Sequence, residues 1–191
     1  MQSSSDFIAY VNRDQRAILY RCRSSSEVAA QIVPELIRIL SDEGHLLVDE
    51  SLRALFLIGT PALAAATHVI PLISSPFPIT RQLAVLTLGQ IALQKPEVCV
   101  QPIARALDDE DCCQDALRIL AFLGSNARNA LPAIVAKYET KEARTRSLVV
   151  KAVAAIDGRS ETARELFGKA RADRSKDVRS AVEKALKSAA L

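Results

Sequence analysis

Residues 146 to 157 read RSLVVKAVAAID, and this stretch decides the fold because its apolar pattern recurs along most of the chain. Counting back from Arg146 lands on Cys113, Arg81 and Val48, and counting forward lands on Arg179, at intervals of 32 or 33 residues. Three residues into each copy, positions i, i+3, i+4 and i+7 fall on one face of a helix. They are Ser51, Ala54, Leu55, Ile58; Ala84, Thr87, Leu88, Ile91; Ala116, Ile119, Leu120, Leu123; Val149, Ala152, Val153, Ile156; and Val182, Ala185, Leu186, Ala189. All but Ser51 and Thr87 are apolar. A lone helix has nothing to bury such a stripe against, so stacked copies must supply one another's core. The period therefore predicts an array of helix pairs.

Composition agrees. The 191 residues suffice for one sizeable core. A hydrophobic fraction of 49% excludes a disordered chain, and 4% aromatics with no Trp argue against aromatic-rich β architectures and base-stacking platforms. No apolar run reaches the ~18 to 20 residues of a membrane span. The opening MQSSSDFIAYVNRDQR has no basic region followed by an apolar stretch, as a secretory signal would. The expectation is a cytoplasmic protein without a membrane segment. Cysteines stand at 22, 99, 112 and 113 with no CxxC and no His at ligand spacing, so neither metal nor cofactor is expected. The Cys112-Cys113 pair reads as two small buried hydrophobes where a second helix begins. Charge is uneven: residues 33 to 124 carry a net −5 and residues 141 to 191 a net +6. Such a split steers association and leaves the fold alone.

Along the chain, Asp6 to Cys22 has helix-compatible apolar spacing and is expected to form a cap helix within residues 1–26. Pro34, Pro71, Pro102 and Pro132 each sit in an apolar segment preceding the template, which marks the first helix of a pair. Breaker-rich turns at Ser41 to Gly44, Ser74 to Pro78, Asp108 to Asp111, Thr140 to Glu142 and Asp173 to Lys176 separate first from second helices. The acidic Asp108-Asp109-Glu110-Asp111 lacks the alternation and glycine of a calcium loop and reads as a solvated turn. Gly59-Thr60-Pro61, Gln94-Lys95-Pro96, Gly124-Ser125 and Gly158-Arg159-Ser160 join one pair to the next, with Gly59, Thr60 and Pro61 expected as C′ glycine, N-cap and N1 proline. The pairs span about 27–59, 60–92, 93–124, 125–157 and 158–190 within a single domain, 1–191. In the last, Glu183 replaces Leu52, Val85, Leu117 and Val150, and Lys187 replaces Phe56, Gly89, Ala121 and Ala154. That polar outer face suits a terminal repeat.

With Val33-Pro34 and Leu131-Pro132, Asp177 before Val178-Arg179, and helix ends such as Leu120 to Gly124 and Ile58-Gly59, the chain resembles HEAT-repeat proteins over residues 27 to 190. The likeness is to the short bacterial type named after phycobilisome lyases. It implies an all-α fold, a right-handed α-α superhelix of about five helix pairs plus an N-terminal helix, with the second helices lining the concave side. It also implies an Asp and Arg ladder between repeats, for which Arg81, Arg146 and Arg179 stand at the Arg position and Asp177 at the Asp position. Val48 and Cys113 interrupt that ladder.

On the face that the resemblance makes concave, a row reads Arg53, Leu86, Arg118, Lys151 and Lys184, basic in four repeats of five. One turn further on, Leu57, Gln90 and Phe122 follow, so cations run beside Leu57, Leu86 and Phe122, which are expected to be exposed. Aromatic and arginine anchors together are the usual composition of interface hot spots. No nucleophile elbow, P-loop, GxGxxG or HExxH is present, so no enzyme is expected. The sequence therefore predicts a protein-binding module, monomeric or weakly dimeric, whose partner sits on this face. A toxin-neutralising immunity protein and an adaptor are both open within that class. The basic row leaves nucleic-acid binding as an alternative, against which the acidic middle counts. A bilin-lyase-like enzyme is a second alternative, carried by the resemblance alone.

Overall fold

The recurring stripe forms helices at each position the period predicts, and among the described residues every regular element is helical. The computed structural model describes residues 26–42 and 45–189; the helix expected over Asp6 to Cys22 lies outside them. The first pair is α1 (Ser26–Leu40) and α2 (Val48–Ile58). Next comes α3 (Ala66–Val69), flanked by 3-10 turns Thr60–Ala65 and Ile70–Ser74, which pairs with α4 (Pro78–Ile91). Then α5 (Pro96–Arg105), prolonged by the 3-10 turn Ala106–Asp108, pairs with α6 (Cys113–Leu123). The fourth pair joins α7 (Leu131–Ala136), between 3-10 turns Gly124–Ala130 and Lys137–Glu139, to α8 (Ala143–Asp157). The last is α9 (Glu161–Arg171) and α10 (Lys176–Ala189).

The predicted inward side chains are the core. Leu55, Ile58, Leu88, Ile91, Leu120, Val153 and Val182 are all buried, each contributing about 1.5–3 kcal/mol relative to exposure. Ile119 and Leu186 are half-buried. The two polar members of the stripe are buried as well, and Thr87 Oγ1 donates to the Leu52 carbonyl at 3.0 Å, which connects α4 to α2 across a repeat boundary. A hydroxyl is tolerated there because it has a partner. Leu52 with Val85, and likewise Leu117 with Val150, form second buried columns, whereas Glu183 and Lys187 are exposed.

First helices are less regular than second ones. Pro34 and Pro102 lie inside α1 and α5, while Pro71 and Pro132 occupy the second positions of a 3-10 turn and of α7. Proline donates no hydrogen bond and crowds the preceding turn, so the two segments holding Pro71 and Pro132 alternate between 3-10 and α geometry.

Two junctions differ from the sequence expectation. Gly59 and Gly124 adopt φ values of 73° and 56°, a region closed to most side chains, and Gly59 itself precedes the 3-10 turn that begins at Thr60. Thr60 is therefore the first residue of that turn and not its cap. Gly158, by contrast, is right-handed with φ −63°, and the helix after it is capped by Ser160, whose Oγ accepts from Ala163 N at 3.2 Å.

The chain divides into two compact units, Met1–Lys95 and Pro96–Leu191, at the Gln94-Lys95-Pro96 junction. In the first, α2 packs on α4 and α1 on α2; in the second, α8 packs on both α6 and α10. The continuous helical run Cys113–Glu139 is, by length and composition, long and apolar enough to cross a membrane, contrary to the sequence expectation that no run is. Gly124, at positive φ, lies within it, as do Asp115, Arg118 and Arg128.

Candidate protein-binding face

Residues 33 apart in this chain occupy the same position on successive second helices, so Arg118, Lys151 and Lys184 form one file across α6, α8 and α10 in the second unit. All three are exposed. Together with Arg144, Ser147, Leu148, Asp177, Ser180 and Ala181 they line a groove of about 500 Å³. Beyond Lys151 and Lys184 a second, shallower depression of about 280 Å³ is floored by Ala154, Ala155, Ala181, Ala185 and Ser188. The two lysines thus stand between a polar trough and an alanine floor.

Phe122 follows Arg118 by four residues on α6 and is 72% exposed, an unusual position for a phenyl ring. Arg118 is held in place: its guanidinium donates to Asp115 at 2.6 Å and to Gln114 at 3.5 Å, and Gln114 in turn donates to Glu142 of the next repeat at 2.8 Å. Lys151, Lys184 and Arg144 have no ion-pair partner among the described residues. Their charge is available to a guest.

In the first unit, Arg53 and Leu57 lie one turn apart on α2, and Leu86 and Gln90 one turn apart on α4. Arg53 is exposed, but Leu57 and Leu86 are only half-exposed, which corrects the expectation that both are free. Of the three apolar residues expected beside the cations, Phe122 alone is widely exposed.

The turns of the second unit hold a polar cluster. Arg146, 7% exposed, grips Asp173, 6% exposed, through Nε to Oδ2 at 2.8 Å and Nη2 to Oδ1 at 2.9 Å. Tyr138 donates its hydroxyl to the same carboxylate at 2.7 Å, and Ser175 N donates to it at 2.8 Å. The Arg146 guanidinium, with help from Ser175 and Tyr138, holds the Asp173 carboxyl well below the usual carboxylate range against the opposing effect of burial. Burial, reinforced by Asp173, pushes the Tyr138 hydroxyl up to about 12. The Arg146–Asp173 pair is one rung of the kind the family resemblance implies, with Asp173 in the place expected of Asp177. Asp177 engages Ser147 only through its backbone carbonyl, at 3.5 Å.

Sequence reasoning missed a further regularity. Arg146 Nη1 donates to the carbonyls of Thr140 and Lys141, six and five residues earlier; Arg81 does so to Ser75 and Pro76, and Arg179 to Asp173 and Arg174. Each arginine at this position closes the turn of its own repeat. An Arg seven or eight residues after the preceding helical element ends was the signal available.

Among the described residues no group of three or more His, Cys, Asp or Glu comes together as a metal-ligand set. Cys99, Cys112 and Cys113 are buried and unbridged, and burial raises the Cys99 thiol to about 11 and that of Cys113 above its ordinary value. Protonated thiols of this kind are poor nucleophiles.

Neither a protein-family model nor a curated protein matches this sequence. Solved structures do match. A designed armadillo repeat protein in complex with the peptide (KR)4 is 17% identical, with a TM-score of 0.68 covering 97% of this chain and 99% of that one. A computationally designed armadillo repeat protein for modular peptide recognition is also 17% identical, with a TM-score of 0.65 over 95% and 98% of the two chains. An engineered protein gives 0.66 over 98% of both, again at 17% identity. The fold is that of the helical-repeat solenoids.

Proposed function

We propose that the chain is a non-enzymatic, HEAT-type interaction module that binds a segment of a protein partner on the face formed by its second helices. The observation that carries this reading is Phe122, 72% exposed one turn from the anchored Arg118, which opens the file continued by Lys151 and Lys184. An exposed aromatic beside a pre-ordered guanidinium has the composition of a binding hot spot and costs solubility if it meets nothing. Two of the structural neighbours are peptide binders by description, which supports a polypeptide guest. A cytoplasmic location, expected from the sequence, belongs to the same proposal. Toxin neutralisation and an adaptor role make the same demand on this face, and the identity of the partner separates them.

The test is a comparison of wild type with Arg118→Ala/Phe122→Ala. Proteins retained by each from the native host are identified, and the one lost with the variant is titrated against both. Truncating two hot-spot residues is expected to weaken binding by about 2–4 kcal/mol while circular dichroism stays unchanged. Equal affinity for both forms would remove this face from consideration.

A further inference from the structure

The file of cations has a spacing, and a spacing selects a ligand. Arg118, Lys151 and Lys184 recur once per repeat on α6, α8 and α10, which pack side by side. Packed helix axes lie about 8–10 Å apart, so the three charges follow one another at about that interval. A β-strand returns a side chain to the same face every second residue, about 6.6 Å, and overshoots at the fourth, about 13 Å. A polyproline II helix returns every third residue, about 9.3 Å. That step matches the repeat.

Resting on the reading of this face as a protein-binding one, we infer that the second unit binds an acidic peptide in the polyproline II conformation, with a carboxylate at every third position. Arg144, Lys151 and Lys184 line the groove without an ion-pair partner among the described residues, against the single carboxylate of Asp177 and with Arg118 already paired to Asp115, so the charge complement is acidic. The alanine floor at Ala154, Ala155, Ala181 and Ala185 lets a peptide backbone approach closely and accepts small or proline side chains between the carboxylates. A pre-formed polyproline II guest also loses little conformational freedom on docking. Nucleic acid fits less well: duplex DNA presents a charge about every 1.7 Å along its axis, against one cation per repeat here.

The experiment titrates the full chain with acetyl-(Glu-Pro-Ala)4-amide and with acetyl-(Glu-Pro-Pro-Ala)4-amide, which carries the same four carboxylates out of register. A 12-base-pair DNA duplex serves as the third probe, at the same salt concentration. The three-residue repeat is expected to bind at least about tenfold more tightly than the four-residue repeat. Lys151→Glu/Lys184→Glu, both at exposed positions, is expected to lose at least about tenfold in affinity with an unchanged helical circular dichroism spectrum. Equal affinity for the two peptides, no binding of either at millimolar concentration, or tighter binding of the duplex would each overturn the inference. The broader reading falls separately, on the Arg118→Ala/Phe122→Ala result with a natural partner.

Discussion

Arg146→Met is expected to destabilise the second unit by about 2–3 kcal/mol, because it strips a part-buried carboxylate of its counter-charge while the bonds from Tyr138 and Ser175 remain. In the folded chain Arg146 makes two bonds to Asp173 and two more to the carbonyls of Thr140 and Lys141. The methionine restores none of them. The pH dependence gives the loss a signature. Asp173 is held below its ordinary value, so its contribution is present above the unfolded carboxyl value of about 3.9 and drains away as pH falls toward the folded one. Without the guanidinium, Asp173 takes up its proton more readily. The gap between wild type and variant should therefore narrow as the medium is acidified from pH 7 to pH 3. On the alkaline side, Tyr138 keeps its proton up to about 12, so its contribution holds below the ordinary value near 10 and is lost as pH rises toward 12. Urea unfolding followed by circular dichroism at pH 3 and pH 7 measures the acid arm. A cost under about 1 kcal/mol at pH 7 would show that the pair does not hold the repeats together.

Val150→Glu should unfold the second unit outright. Val150 is buried in α8, where α6 and α10 pack against its helix, and an ionised carboxylate there would have neither water nor a cation. The cost exceeds about 4 kcal/mol, a large share of the stability of a domain of this size. The chain contains its own control, since 33 residues later the equivalent position is Glu183, which is exposed and costs nothing. One residue type is thus forbidden and permitted at the same helical position according to whether another helix covers it. Thermal melting of Val150→Glu beside Glu183→Gln reads the contrast. A Val150→Glu protein melting within a few degrees of wild type would mean that the column does not pack as described.

The repeat architecture was legible because burial repeats: once Leu55, Leu88, Leu120 and Val153 are aligned, a helical period accounts for them all. Helix ends were less so. Gly59 and Gly124 announce themselves, but that Thr60 begins a 3-10 turn depends on Pro61 and on packing from other parts of the fold. The polar cluster was the least legible. Asp173 and Asp177 both flank the last turn, and the choice between them depends on which carboxylate reaches Arg146, a distance across 27 residues that no spacing in one helix encodes. On the candidate face, Phe122 could be placed from the helical period alone, whereas the partial covering of Leu57 and Leu86 could not.

The unevenness between first and second helices has a dynamic side. Short 3-10 stretches have poorer hydrogen-bond geometry than the α-helices opposite them, so Thr60–Ser74 and Gly124–Glu139 should open locally before α4 and α8 do. Amide hydrogen exchange would then appear as alternating bands along the chain, fast in those segments and slow in their partners. A guest on the second helices would sit on the slow bands, with the breathing confined to the helices behind it.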